Sequence, residues 1–436
     1  MAVTKTDEMG AAGVTCATKG ACGCGKALEA AGAVAAGALI KGGMLYTMGE
    51  AGVVRADLRI RGGKVAEIGE DLEPAGEGEA LIDASGKVVT PGFVDAHSHI
   101  GGFDGDNEDL NELTNPRTPE LDALYGIAPS SEYFGIALAQ GITTSLIIPG
   151  SGNVIGGWGV VVKSAGPDGQ VGAQLGERVV RHPAVLKAAT GINPKGVYSK
   201  KQQLPMTRMG INYLLRSYLR DVRDYLAKKE AAAADEASGK PEAERAKAPE
   251  YDLGLEHGIP VLRREIPLKV HTYMHDMTQV IDIAREFDID VTIDHAQGAS
   301  DFYDELCDPH VRGVIFGPVN ASIFPGEGGI IDYECLKGLD DRGVCVAVMT
   351  DGPVSIEGML VYEMGEAVRM GMDPVRALAM ATSNAARICG VQERVGSLEL
   401  GKDGDVCVWS ALPALATDAV LERVLLEGHE VFAREA

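Results

Sequence analysis

Four separate apolar segments of this chain each end in a residue that can bind a metal ion. Residues 88–94 form an apolar run that leads into His97 and His99, and a spacing of two places both imidazoles on one face of a strand. Three later runs end in the same way, at His271, His295 and Asp351. Four strand ends that all carry nitrogen or oxygen ligands predict a common site.

The ligand types narrow the kind of metal. Imidazole nitrogens combined with a carboxylate oxygen suit Zn²⁺, and they leave Mn²⁺, Fe²⁺ and Co²⁺ open. In a parallel barrel, functional residues gather at the carboxyl ends of the strands, so these side chains would converge on one mouth. The predicted ligands are His97, His99, His271, His295 and Asp351.

The middle of the chain alternates between strand and helix patterns, as a parallel α/β barrel requires. Strands are predicted near 92–97, 143–149, 159–164, 184–190, 267–272, 290–295, 312–317 and 344–350. Helices are predicted near 130–140, 208–228, 276–286 and 373–389, the last opening with Asp373-Pro374 as N-cap and first residue. Residues 227–250 have no apolar stripe, which indicates a solvated helical extension or a linker.

Both ends of the chain carry short strands without helical spacing. Alternation over 57–60 followed by Gly62-Gly63 predicts a hairpin, and short apolar runs return after 396. We therefore expect one small β-domain built from residues 37–90 and 396–436, around a barrel over 91–395. Residues 1–36 are rich in Ala and Gly and contain Cys16, Cys22 and Cys24, and we expect a disordered tail there.

Charge and hydropathy exclude several classes of partner. The net charge of −23 argues against nucleic acid and against an anionic membrane. No stretch approaches the roughly 20 apolar residues of a membrane span, and the N-terminus lacks the pattern of a secretion signal. A cytoplasmic enzyme acting on a small molecule is expected, and formation of a homo-oligomer stays open.

The order of the predicted ligands along the chain is His97 and His99, then His271, His295 and Asp351. This order resembles that of the metal ligands in the amidohydrolase superfamily. Three segments, at 149–157, 191–195 and 207–210, resemble its imidazolonepropionase- and prolidase-like branch. The resemblance implies a (β/α)8 barrel with a small β-sandwich domain. It also implies metal-dependent hydrolysis of a C–N bond in an amide, a cyclic amide or a dipeptide-like substrate.

Asp351 is the expected general base, which takes a proton from the attacking water and returns it to the leaving amine. His271 is expected to serve both as a ligand and as a catalytic residue. Two-metal members of the superfamily also need a bridging ligand, and the related branch usually has Glu where this chain has Ile192. Either a carboxylated Lys187, or Lys195, supplies the bridge, or the site holds one metal, or activity is impaired.

Three further residues are candidates for substrate binding. His275 follows the predicted fifth strand, Arg208 could grip a carboxylate through its bidentate fork, and Trp158 could wall the pocket. Two other functions remain open. Deamination of a heterocycle is disfavoured because Thr272, Tyr273 and Met274 follow His271 where deaminases usually carry Glu, and Ile192 is the one feature that favours an inactive binding protein.

Overall fold

The computed structural model describes residues 37–76, 78–104, 108–318 and 332–435. The predicted tail over 1–36, with its three cysteines, lies outside these ranges. The strands of the described chain form two sheets of eight strands each. Among the helices within these ranges, none combines the length and the apolar character needed to span a bilayer.

The first sheet joins both ends of the described chain. Its strands are β1 (Gly37–Tyr46), β2 (Val53–Arg61), β3 (Lys64–Gly69), β4 (Ala80–Asp83), β5 (Val88–Pro91), β14 (Val406–Trp409), β15 (Leu421–Leu426) and β16 (His429–Ala433). They bond in the order β16-β15-β14-β5-β1-β2-β3, with β4 also on β1. The predicted hairpin is present, since Arg61 of β2 lies opposite Lys64 of β3.

The strands expected to form the small β-domain are joined by hydrogen bonds across both ends of the described chain. Strand β5 pairs with β1 through Val89 and Leu45, and it also pairs with β14 through Val89 and Val408. The N-terminal and C-terminal strands therefore belong to one hydrogen-bonded sheet, separate from the barrel.

The second sheet is a nearly closed barrel that follows the predicted strand positions. Its strands are β6 (Phe93–Ser98), β7 (Ile142–Ile147), β8 (Ile155–Lys163), β9 (Val179–Ala189), β10 (Leu268–Thr272), β11 (Val291–His295), β12 (Val311–Phe316) and β13 (Val346–Val348). Neighbours in the chain are neighbours in the sheet. Just beyond β13, the N–H of Asp351 donates to the carbonyl of His97, so the first and last strands meet at the mouth.

The direction of the third barrel strand differs from the all-parallel arrangement that was expected. The (β/α)8 pattern is therefore not confirmed. Strand β8 runs antiparallel to both β7 and β9. Only residues 148–154 separate β7 from β8. A parallel neighbour needs a crossover of roughly a dozen residues or more, so this short glycine-rich connection turns the chain straight back.

Twelve α-helices lie within the described ranges. They are α1 (Glu132–Leu138), α2 (Leu175–Arg178), α3 (Ile192–Lys200), α4 (Arg208–Ala237), α5 (Leu253–Glu256), α6 (Ile259–Leu262), α7 (Asp276–Phe287), α8 (Tyr303–Leu306), α9 (Glu334–Asp340), α10 (Met359–Arg369), α11 (Pro374–Met380) and α12 (Ser383–Cys389). Helix α4 continues past the predicted end into the segment expected to be a solvated extension.

The single helix predicted over 373–389 is in fact two, α11 and α12. Asp373 caps α11 by accepting from the N–H groups of Val375 and Arg376, as expected. The helix then breaks because the carbonyl of Ala381 accepts from the N–H of Val94 at 2.8 Å, on the first barrel strand. The carbonyl of Ala381 thus accepts a hydrogen bond from the barrel, whereas in a continuous helix it would accept one from a later residue of the helix.

The barrel interior changes character along its axis. An apolar cluster that includes Val94, Leu146, Val161 and Met349 fills the part that α12 covers. Nearer the mouth the interior becomes charged, and fully buried residues of this kind are Asp95, Lys187, Lys269 and Asp294. The functional side chains lie directly above this charged layer.

Candidate metal centre

Three of the predicted ligands form a tight buried cluster. The Oδ1 atom of Asp351 lies 3.3 Å from Nε2 of His97 and 3.2 Å from Nε2 of His99. One ligand atom from each residue falls within 4.8 Å of the other two. Strand β6 ends with the two histidines and β13 leads into Asp351, so closure of the barrel brings the three together.

The other two predicted ligands form a pair beside this cluster. The rings of His271 and His295, on the neighbouring strands β10 and β11, are 4.0 Å apart between centroids. The ring of His295 is also 5.0 Å from that of His97. The structure therefore brings all five predicted ligands to one place at the barrel mouth.

In each of the four imidazoles, Nδ1 contacts an oxygen atom of another residue. His97 contacts Asp294 Oδ2 at 2.5 Å, and the remaining contacts are His99 with the carbonyl of Ile148 at 2.8 Å, His295 with the carbonyl of Gly317 at 2.9 Å, and His271 with Ser151 Oγ at 3.0 Å. Carboxylate and carbonyl oxygens only accept, so in His97, His99 and His295 the proton sits on Nδ1. The lone pair of Nε2 then faces the centre.

These Nε2 atoms supply the test of whether a metal fits. Among the described residues, Nε2 of His97, His271 and His295 is buried and has no hydrogen-bond partner. Unpaired buried polar atoms are costly, so three of them in neighbouring rings beside a carboxylate favour a bound partner. Divalent cations that take nitrogen and oxygen ligands fit such a donor set.

The electrostatics keep these groups in their ligand forms. Burial lowers the pKa of His99, lowers that of His271 strongly, and lowers that of His295 to about 3. Burial opposes ionisation of Asp351, but the neighbouring His97 and His99 outweigh it and hold the pKa of the carboxyl well below its usual range. Near neutral pH His99, His271 and His295 are therefore neutral imidazoles, and Asp351 is an ionised carboxylate.

A buried lysine, Lys187, lies near the predicted ligands. Its charge acts on His99, His271 and His295, it is fully buried on β9, and its Nζ has no hydrogen-bond partner in the described chain. Burial, helped by nearby Lys269, lowers the pKa of this amine to about 8, although Asp294 and Asp351 oppose the shift. No bridging carboxylate comes from Ile192, which is the first residue of α3.

The three predicted substrate-binding residues are placed differently from one another. The ring of Trp158 stacks on that of His257, with centroids 3.5 Å apart, and packs against the hydrophobic core. The structure therefore does not bring Trp158 to the four histidines of the candidate metal centre. Arg208 donates to Asp276 at 2.8 Å, which ties α4 to α7. His275 is exposed at the start of α7, after the strand that carries His271, and its ring lies edge-on to Phe302.

Sequence reasoning missed the residues that surround the ligands. Phe103 packs against His99 at 4.8 Å and Tyr273 against His271 at 4.7 Å, so both line the site. Ser151, which contacts His271, belongs to the short connection between β7 and β8. A charged residue in an otherwise apolar strand, such as Lys269 in Pro267-Leu268-Lys269-Val270, was an available signal.

The glycines of this connection allow it to approach the site closely. A Cβ on Gly150 would lie 2.4 Å from Oδ1 of Asn111, and a Cβ on Gly152 would lie 2.4 Å from Cδ2 of Leu113. A side chain at either position would push the connection away from these neighbours. The approach of the loop is what places Ser151 against His271.

Comparison with known proteins extends the similarity over nearly the whole described chain. A model of the Amidohydrolase family matches residues 332–431. The crystal structure of an amidohydrolase from Thermotoga maritima superimposes with a TM-score of 0.82 at 36% identity, covering 91% of this chain and 100% of that one.

Two further relatives are more distant in sequence. The amidohydrolase tasK of Hapsidospora irregularis is 28% identical over 86% of this chain, which spans 40% of the length of that protein. An imidazolonepropionase of Brevibacillus brevis is 25% identical over 76% of each chain.

Proposed function

Because this chain belongs to the amidohydrolase family and is therefore a hydrolase, we propose that it uses a divalent metal to cleave a C–N bond. The proposed substrate is an amide, a cyclic amide or a dipeptide-like molecule. The observation that carries the proposal is the group of buried, unpaired Nε2 atoms beside the Asp351 carboxylate.

The metal would be held by His97, His99, His271, His295 and Asp351, and zinc suits this donor set best. A bound divalent cation acidifies water and polarises the carbonyl of the scissile bond. The partners at Nδ1 keep the rings in place, so little reorganisation is needed when the metal binds.

Asp351 moves the proton in this proposal. Its carboxylate is ionised at neutral pH and lies at the centre of the ligand group, where it can take a proton from the attacking water. The same carboxyl then protonates the leaving nitrogen, so the proton is returned and the carboxylate is regenerated.

The remaining residues bind and orient the substrate. His271 is a ligand whose ring also borders the substrate space, where Phe103 and Tyr273 provide aromatic walls in place of Trp158. His275 is the candidate polar contact at the rim. Arg208, which pairs with Asp276 through Nε, is the candidate partner of a substrate carboxylate.

We also propose that Lys187 is carboxylated and would help to hold a second metal ion. Addition of CO₂ to the neutral amine forms an N–C bond and releases one proton, and the resulting carbamate is an anion. A fully buried amine without a hydrogen-bond partner in the described chain, near the predicted ligands, supports this reaction. Two adjacent cations need such an anion because they otherwise repel each other.

The test is metal analysis followed by a substrate screen. The double variant His97→Asn, His99→Asn should lose at least one metal equivalent relative to the wild-type protein, both expressed with zinc or manganese. The matched control is His182→Asn, His310→Asn, which alters two histidines outside the site and should keep its metal. Equal metal content in the double variant and the wild type would remove the proposal.

The screen covers acylated amino acids, dipeptides and cyclic amides, with ammonia release from heterocycles measured in parallel. Hydrolysis of a substrate in the first group is expected. Ammonia release from the heterocycles alone would make the protein a deaminase, and metal binding without any turnover would favour a binding protein.

A further inference from the structure

A buried lysine lies directly behind one of the candidate metal ligands. Lys269 Nζ is 2.6 Å from Asp294 Oδ2, and both side chains are fully buried. The same Oδ2 atom is the partner of Nδ1 of His97, at 2.5 Å. A continuous chain of contacts therefore runs from Lys269 through Asp294 to the ring of His97.

Strand register creates this arrangement. Lys269 of β10 lies opposite Thr292 of β11, and His271 lies opposite Asp294. Thr292 Oγ1 donates to the second oxygen, Oδ1, of Asp294 at 2.9 Å. Lys269 and Thr292 thus contact the two oxygens of this carboxylate, and the position of Asp294 determines where the ring of His97 points.

His97 differs from the other histidines in what holds it. Backbone carbonyls hold His99 and His295, and a serine hydroxyl holds His271. Only for His97, among these four, is the partner a carboxylate. A buried carboxylate carries a large desolvation cost and stays ionised only with a counter-charge nearby. Lys269 is the cation in contact with it.

We propose that Lys269 is a positioning residue of the metal centre, which acts through Asp294 to hold His97 in its metal-binding orientation. The inference rests on the proposed function, because it gives Lys269 a role only if His97 binds a metal. Lys269 does not touch the substrate or the metal in this account. Its charge and contact fix Asp294, and Asp294 fixes the imidazole.

The test measures metal affinity in Lys269→Met, which keeps the chain length and removes the charge. Partners behind a ligating histidine change metal affinity by about 10–100-fold, and a loss in this range is expected in competition with a chelator. The matched control is Lys163→Met. Lys163 is also buried and ion-paired, with Asp403 at 2.8 Å, but it lies at the opposite end of the barrel. That control should lose stability without losing metal affinity.

A double-mutant cycle separates positioning from a general structural role. If Lys269 acts through Asp294, the variant Lys269→Met, Asp294→Asn should bind metal no more weakly than Asp294→Asn alone. Should Lys269→Met fail to fold, Lys269→Gln carries the same comparison, since it keeps a hydrogen-bond donor while removing the charge.

The outcomes are distinct from those for the proposed function. Wild-type protein that binds no metal would contradict the proposed function itself. Metal affinity unchanged in a folded Lys269 variant, or fully additive losses in the double variant, would overturn the role of Lys269 while leaving the proposed function standing. A comparable loss in Lys163→Met would also overturn it, because the effect would then be general destabilisation.

Discussion

The backbone N–H of Asp351 donates to the carbonyl oxygen of His97 across 3.1 Å. This bond links the chain beyond the last barrel strand to the end of the first. The side chains of the same two residues approach to 3.3 Å. Closure of the barrel and assembly of the candidate metal centre are therefore one structural event, and damage to either should be visible in the other.

Asp351→Asn should reduce turnover with little change in fold. Asparagine keeps the size of the side chain but cannot accept the proton of the attacking water, so we predict that kcat falls by roughly 10²–10⁴-fold. The control is Asp308→Asn, an ion-paired aspartate that precedes β12 at the other end of the barrel. Near-normal kcat in Asp351→Asn, on whichever substrate the screen identifies, would assign the base to another group.

Lys187→Ala should change the number of metals bound. We predict two metal ions per chain in the wild type and fewer in the variant, because alanine cannot form the bridging carbamate. Loading of metal-free wild-type protein should also improve when bicarbonate is added. Lys195→Ala serves as the control and as a test of the other candidate lysine. One metal per chain in every protein would establish a mononuclear site.

Ser151→Ala should weaken the hold on His271. The hydroxyl is 3.0 Å from Nδ1, and its loss leaves that nitrogen without the partner seen in the structure. We predict metal affinity lower by about tenfold, the lower end of the range for partners of ligating histidines, with recovery in Ser151→Thr. Ser164→Ala removes another serine hydroxyl, which donates to the carbonyl of Ile142 outside the site, and should have no such effect. Equal losses in both alanine variants would indicate a general packing defect.

The stability of the fold should fall as the pH drops below about 6.5, in part because of His257. Burial lowers the pKa of this histidine; the hydrogen bond to the carbonyl of Pro119 and the charges of Asp122 and Glu120 oppose the shift, and His182 adds to it. Between the two pKa values, the histidine is protonated in the unfolded chain but neutral in the folded chain. The free energy of unfolding therefore decreases as the pH falls from the pKa of His257 in the unfolded chain towards its pKa in the folded chain.

Urea unfolding at pH 7.5 and pH 5.5 measures this dependence. We predict a smaller difference between the two pH values in His257→Phe, which keeps an aromatic ring against Trp158 and cannot be protonated. In a Trp409→Phe background, Trp158 is the remaining tryptophan, so its fluorescence reports on the stack directly. An unchanged pH dependence in His257→Phe would assign the loss of stability to other groups.

The grouping of the candidate ligands could be predicted because each stands at the end of an apolar run, and that pattern is local. Their partners could not be predicted in the same way. His97 and Asp294 are 197 positions apart, and only the barrel places β6 near β11. The partners of His99 and His295 are backbone carbonyls, which leave no trace in residue type. The sequence could therefore suggest which residues form the candidate metal centre, but not which groups hold the histidine rings in place.

Strand direction was the main error at the level of the fold. An apolar strand such as β8 has the same composition whether it runs parallel or antiparallel to its neighbours. The informative feature was the short distance between β7 and β8, which leaves no room for a crossover helix. The direction in which Trp158 points could not be predicted either, because bulges in the pairing of β8 with β9 change which side chains face inward.

The reversed strand also limits how such an enzyme can acquire new substrates. Eight parallel strands would present eight independent loops at the mouth, each free to vary without disturbing the next. Here β7 and β8 share the single connection over 148–154, and the chain leaves β8 at the far end of the barrel. The shared connection also carries Ser151, so a change of its length alters two strands and a ligand support together. Diversification of the substrate range is therefore restricted to the remaining loops, and engineering of specificity should begin there.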